Sequence, residues 1–262
     1  MAGNSPFGRI LVSNDDGIHA AGLKALEKIA HSLSDDVWVV APETEQSGAS
    51  HSLTLAHALR IREVSSRRFA VQGTPTDCVM LALNKIIEGA RPTLVLSGVN
   101  RGGNLGEDVT YSGTVAAAME GTMLNIPSIA LSQVFSYKHK HVRWATAEHH
   151  APGLIKQLVE AGWPRDVLIN INFPDLIHSA VKGTRVTVQG RRDIADLTVD
   201  ERVDTRGHPY YWYGFRRSLG EPGPETDLGA IRDGYVSVTP LHLDLTHFEA
   251  RETLGAALAD SC

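Results

Sequence analysis

The stretch Arg9 to Gly22, RILVSNDDGIHAAG, constrains this chain more than any other. An apolar run, Ile10 to Ser13, ends in Asn14, two adjacent carboxylates and a glycine. Apolar residues at Leu23, Leu26, Ile29 and Ala30 then follow at helical spacing. This order predicts strand, tight turn and helix, with Asp15 and Asp16 at the carboxyl end of the strand. Ligands of open α/β sheets bind in the crevice beyond that edge. Two like charges in a partly dry crevice repel, and a divalent cation removes the cost. Asp-Asp-Gly also reads as an ordinary turn, in which Asp accepts backbone donors and Gly supplies positive φ. The rest of the chain has to decide between the two.

Buried-strand runs recur at Val37 to Ala41, Leu94 to Leu96, Pro127 to Leu131 and Val167 to Ile171. An edge strand is expected within Leu53 to Val64 and another strand at Phe69 to Gln72. In GTPTDCV, Thr74 is placed to cap a helix with Pro75 at its first position and Asp77 supporting its start. Val79, Leu83, Ile86 and Ile87 supply the apolar face of that helix. Trp144 through Val159 reads as an amphipathic helix, with Pro152 marking a break or a displaced start. Beyond Pro174 the pattern changes. Arg185 to Gln189 and Val236 to Thr239 read as strands, and HPYYWYGF and GEPGPETDLGAIRDG combine aromatics with turn formers. A β-rich elaboration over roughly 180–245 with a projecting hairpin is expected, then a final helix through Phe248, Leu254 and Leu258. No long linker separates it, so residues 1–262 read as one domain.

Bulk properties exclude several classes. The 262 residues carry 25 Lys plus Arg against 30 Asp plus Glu, a formal charge of -5, which provides no broad electrostatic footprint for nucleic acid. The two cysteines, Cys78 and Cys262, indicate neither a disulfide framework nor a thiolate metal site. No stretch approaches the ~18 apolar residues of a membrane span, and a cytoplasmic protein without a stable nucleic-acid or membrane partner is expected.

The polar stretch PETEQSGAS after the second strand places Ser47, Gly48, Ser50 and His51 at the same sheet edge as Asp15 and Asp16. The Ser47 hydroxyl reads as a weak metal ligand, an anion donor or a plain loop serine. After Leu96, Asn100 and Asn104 fall in a loop with Gly98, Gly102, Gly103 and Gly106, whose glycines permit close backbone approach to an anion. Ser112-Gly113-Thr114 opens a small-residue helix whose N-H groups suit phosphate or, equally, a cap and close helix-sheet packing. Neither GxxxxGK[ST] nor a dinucleotide fingerprint is present. His139, His141, His149 and His150 lack an HExxH pattern and read as loop or helix surface. Carboxylate, amide and water ligands together favour magnesium or manganese, and a helix end beside them suits phosphoester hydrolysis.

SNDDGIHAAGL, APETEQSGASHSLT, GTPTDCV and SGVNRGGNLGEDVTYSGTVAAAMEG resemble, in order, the motifs of the SurE family, the stationary-phase survival proteins that are divalent-metal-dependent 5'-nucleotidases. The resemblance implies an α/β, Rossmann-like three-layer core with a mostly parallel sheet and a C-terminal β-rich extension. It implies a homodimer or homotetramer assembled through that extension. It implies one divalent cation per subunit, Mg2+ or Mn2+, on Asp15, Asp16, Ser47 and Asn100, with phosphate contacts from Asn104, Ser112, Gly113 and Thr114. The expected reaction is attack of metal-bound water on a nucleoside 5'-monophosphate, with Asp15 or Asp16 orienting or deprotonating it and the resemblance favouring Asp15. Activity on 3'-nucleotides and short polyphosphate also belongs to the family. Gly103 stands where a proline is common in that loop. A phosphohydrolase of nonnucleotide esters and a noncatalytic nucleotide-binding stress protein are the two alternatives.

Overall fold

The computed structural model describes residues 7–136, 139, 141–191, 193–218 and 222–259. The opening stretch forms β1 (Ile10–Ser13) and α1 (Ala21–His31), followed by β2 (Val37–Pro42), β3 (Ile61–Ser65) and β4 (Arg68–Val71). Next come α2 (Pro75–Leu81), β5 (Leu94–Arg101), α3 (Asp108–Tyr111), α4 (Gly113–Met123) and β6 (Ser128–Gln133). The long helix α5 (Trp144–Ala161) leads to β7 (Val167–Phe173) and β8 (Thr184–Val186). The chain ends in β9 (Asp193–Val203), β10 (Pro209–Ser218), α6 (Asp227–Arg232), β11 (Val236–His242) and α7 (Phe248–Ala259).

One nine-stranded sheet has the order β3-β4-β2-β1-β5-β6-β7-β11-β8. From β4 to β7 neighbouring strands run parallel, while β3 is antiparallel to β4 and β11 to β7. Side-chain alternation divides the apolar residues between two faces. Ile10, Val12, Val39, Leu94 and Leu96 pack with Leu23, Leu26 and Ile29 of α1 and Ala147, Ala151 and Ile155 of α5. Leu11, Val40, Val71 and Val95 pack with Cys78 and Val79 of α2 and Ala117 of α4. The result is the expected three-layer α/β fold. β1 pairs with β2 on one side and β5 on the other, so the strand order reverses there, the arrangement that in open α/β sheets leaves a crevice beyond the strand ends.

Several elements differ from the sequence expectations. Residues 53–60 are not strand, and Leu55 is 89% exposed. β3 pairs only where β4 lies opposite, and β4 has four residues. β5 continues past Leu96 to Arg101, so Asn100 lies on a strand opposite Ser132 rather than in a loop. The register shifts between Ser97 and Asn100, where Gly98 has φ +128 and faces the Leu131 carbonyl oxygen so closely that a side chain would collide with it. Helix α5 runs unbroken through Pro152. The proline costs a backbone hydrogen bond, but Ala147, Ala151 and Ile155 bury the helix on the sheet, and tertiary packing overrides the local penalty. The β-rich stretch also contains a helix outside the sequence expectations, α6, capped by the Thr226 side chain on Gly229 N-H. The strand expected at Arg185 to Gln189 is shorter and earlier, Thr184–Val186. Both β8 and β11 belong to the main sheet, and only β9 and β10 form a separate antiparallel hairpin. Cys78 is buried, which pushes its thiol well up, while Cys262 lies outside the described residues. Among the described residues no helix is long and apolar enough to cross a membrane.

Candidate active site

The turn after β1 forms at Asn14-Asp15-Asp16-Gly17 with the positive φ expected of its glycine. Asn14 Nδ2 donates to the Gly17 carbonyl at 3.1 Å, and Gly17 takes φ +98. The neighbouring amide thus closes the turn, and neither carboxylate is needed for it. Asp15, 5% exposed, lies against the start of α4 and accepts the Thr114 hydroxyl and the Thr114 backbone N-H. A Cβ at Gly113 would sit 2.7 Å from Asp15 Cβ and 3.1 Å from its Oδ2, so this approach requires glycine. Burial raises the Asp15 carboxyl above 3.8 despite the opposing Thr114 bonds. Asp16 is pushed up from 3.8 to about 6, first by burial and then by the charge of Asp15. Its Oδ2 accepts the Arg101 backbone N-H at 3.3 Å, bringing the end of β5 against the turn.

The loop after β2 closes the other side. Ile18 N-H donates to the Pro42 carbonyl and Gln46 N-H to the Asp15 carbonyl, each at 2.8 Å. Ser47, next in sequence, donates its hydroxyl to Glu45 Oε1 at 2.8 Å. The Glu45 charge contributes to the upward shifts of both Asp15 and Asp16. Asn100 Nδ2 donates to the Gly102 carbonyl at 3.1 Å, which leaves Oδ1 without a donor among the described residues.

This donor set fits a hard cation. Both carboxyls are raised, chiefly by burial, and the Asn100 carboxamide oxygen and the Ser47 hydroxyl are neutral oxygens of the kind magnesium and manganese accept. Among the described residues no group of three or more His, Cys, Asp or Glu is placed to hold a metal ion, so neutral oxygens have to complete any coordination around Asp15 and Asp16.

The residues expected to touch phosphate divide. Gly113 and Thr114 are at the carboxylates, but both the hydroxyl and the N-H of Thr114 are used by Asp15. Ser112 caps α4, accepting Val115 N-H at 3.1 Å. Asn104, 6% exposed, donates Nδ2 to Ser132 Oγ at 2.8 Å. Its backbone N-H meets Asn172 Oδ1, and its carbonyl accepts from Asn170 and Asn172. Asn104 therefore belongs to a buried polar network over β6 and β7. Two contributors went unread in the sequence. Glu45 stood in a polar loop with nothing to single it out, and Arg101 acts through a backbone group that no side-chain pattern reports.

The histidines do not join the carboxylates. His139 Nδ1 lies 2.7 Å from Asp175 Oδ2, and the His149 ring packs on His178 and His150 at 4.4 and 4.8 Å between centroids. A cavity of about 510 Å³ lined by His139, His141, Arg143 and His178 includes neither Asp15 nor Asp16 in its walls.

Comparison with known proteins agrees with the motifs. The family model described as Survival protein SurE matches residues 10–196. The chain belongs to the SurE family. It is 59% identical over 251 residues to the 5'-nucleotidase SurE of Parvibaculum lavamentivorans, covering 95% of this chain and 91% of that protein. The 5'-nucleotidase SurE of Caulobacter vibrioides is 59% identical over 252 residues, with 95% and 96% covered. The crystal structure of the SurE protein from Aquifex aeolicus superposes with a TM-score of 0.82 at 40% identity, covering 95% of this chain and 99% of that one. SurE family proteins are divalent-metal-dependent enzymes, and the match to the SurE model contains Asp15, Asp16, Ser47, Asn100 and the start of α4.

Proposed function

We infer that the protein is a 5'-nucleotidase that hydrolyses nucleoside 5'-monophosphates to nucleoside and inorganic phosphate, with one Mg2+ or Mn2+ per subunit on Asp15, Asp16, Ser47 and Asn100. The observation that carries this is the pairing of Asp15 and Asp16 at the sheet's switch point against the start of α4, in a chain 59% identical to proteins named 5'-nucleotidase SurE. A divalent cation supplies Lewis acidity at a phosphoryl oxygen and acidifies water. Asp15 is held in one orientation by Thr114 and by contact with Gly113. In this reading Asp15 or Asp16 orients or deprotonates the attacking water, with Asp15 the favoured of the two. The Gly113 N-H, for which no acceptor is found among the described residues, supports reading the helix end as the place that meets phosphate charge. Asn104 gives one of its two Nδ2 hydrogens to Ser132 Oγ, and the second is the donor that this reading assigns to phosphate.

The same reading includes a homodimer or homotetramer in the cytoplasm. Supporting it, Tyr211, Trp212 and Tyr213 of β10 are 58%, 61% and 74% exposed, and α7 has no buried residue. The test is phosphate release from nucleoside monophosphates and from sugar phosphates at equal concentration with magnesium or manganese added. Release should favour the nucleotides and should be lost in Asp16→Asn, which also should bind either cation weakly by calorimetry. Equal turnover of both classes, or wild-type turnover and cation affinity in folded Asp16→Asn, rejects the assignment.

A further inference from the structure

We propose that Asp227 is a positioning residue for the loop 102–106 that follows β5, joining that loop to both roots of the β9–β10 hairpin. Asp227 begins α6 and has no solvent exposure. No cationic side chain accompanies it among the described residues; three backbone N-H groups do. Oδ2 accepts Gly106 N-H at 2.8 Å, and Oδ1 accepts Gly190 N-H at 2.9 Å and Leu228 N-H at 2.7 Å. A carboxylate withdrawn from water is costly unless its lone pairs are met, so these bonds hold the three segments to one point. Gly190 is fitted to it, because a Cβ there would lie 2.7 Å from Asp227 Oδ1.

The three segments have different origins. Gly106 closes the loop that follows β5 and passes through Asn104. Gly190 lies just before β9, and Asp227 lies just after the segment that returns from β10. The two roots are tied to each other, Val188 N-H to the Glu225 carbonyl at 3.1 Å and Asp227 N-H to the Val188 carbonyl at 3.0 Å. Gln189 Nε2 donates to the Gly106 carbonyl at 2.9 Å. Gly106 is thus held at its N-H by Asp227 and at its carbonyl by Gln189. With Asn170 and Asn172 gripping the backbone of Asn104, the course of the chain after Arg101, whose N-H meets Asp16, is set from β7 and from the hairpin roots. A shift of the hairpin roots therefore moves Gly106, and displacement near 1 Å at a catalytic group costs up to ~100-fold in rate.

The effect on turnover rests on the nucleotidase reading, and hydrogen exchange measured over residues 100–111 does not. Asp227→Asn places an amide donor against backbone donors while nearly keeping shape. Measured on the full chain well below its melting temperature, it should speed exchange in 100–111 and lower kcat by on the order of 10- to 100-fold. The Mn2+ dissociation constant should change less than kcat, since Asp15 and Asp16 are untouched. Gln189→Ala, which removes only one bond to Gly106, should shift both readouts in the same direction by less, and it decides the matter if Asp227→Asn does not fold. Wild-type exchange over 100–111 in the folded variant, or a rate loss that merely follows the unfolded fraction, overturns the proposal. Faster exchange in a protein that hydrolyses no nucleotide keeps the positioning role and rejects the nucleotidase reading instead.

Discussion

The crevice at the ends of β1 and β5 and the C-terminal projections invert the usual rule of burial in opposite senses. At the crevice, polar side chains are inside: Asp15, Asn104, Ser112 and Thr114 are all buried. In β10 and α7, large apolar side chains are outside: Trp212 is 61% exposed, Leu254 61% and Leu258 68%. Each inversion costs free energy in an isolated chain, through desolvated charge in one case and hydrated apolar surface in the other. The comparison teaches that each region carries a cost that an added group would offset, which in the proposed reading is a cation and a phosphoester at the crevice and another subunit on the projections.

The sharpest way to break the comparison is to disturb the crevice without touching a charged group. Gly113→Ala inserts a methyl 2.7 Å from Asp15 Cβ and should lower nucleotide turnover by roughly 100-fold through displaced carboxylate geometry. Steady-state kinetics beside a thermal melt reads the result. Unchanged kcat in Gly113→Ala would show that the close contact with Asp15 has no bearing on catalysis.

A second measurement uses proton competition. Because Asp16 is raised from 3.8 to about 6 and Asp15 is raised as well, the folded protein without cation binds more protons than the unfolded chain across that interval. Raised carboxyls make stability fall as pH rises from about 4 through 6, so the cation-free protein should melt higher at pH 5 than at pH 7. Cation binding runs the other way. Protons compete for the same oxygens, and affinity for Mn2+ should weaken by up to about tenfold per pH unit below 6. Calorimetric titrations at pH 5, 6 and 7 that show one constant affinity contradict the assignment of Asp16 as a ligand.

The smallest effect on chemistry is expected at the other region. Leu254→Glu on α7 or Trp212→Glu on β10 places charge on exposed apolar surface, so neither should unfold the subunit. Light scattering should report a lower mass, with kcat reduced only several-fold, less than the loss at Gly113. A variant that keeps the wild-type mass at every concentration removes its residue from the proposed subunit contact.

Local patterns in the sequence were enough for the parts of this protein that depend on neighbours in the chain. β1 and α1 formed where the period changes from strand to helix, Thr74 and Ser112 cap the helices they precede, and Gly17 supplies the turn that Asp-Asp-Gly announces. Motif order likewise pointed to the family and to Asp15 and Asp16. The tertiary structure decided what depends on partners far away in sequence. Asn100 is on a strand because β6 extends beside it, α5 survives Pro152 because its face is buried, and Thr114 serves Asp15, 99 residues earlier. Asp227 offered no sign of its role, since the groups it holds are backbone N-H donors that every non-proline residue possesses. A pattern of side chains can show where charge will stand; only the packed chain determines which distant backbone groups converge on it.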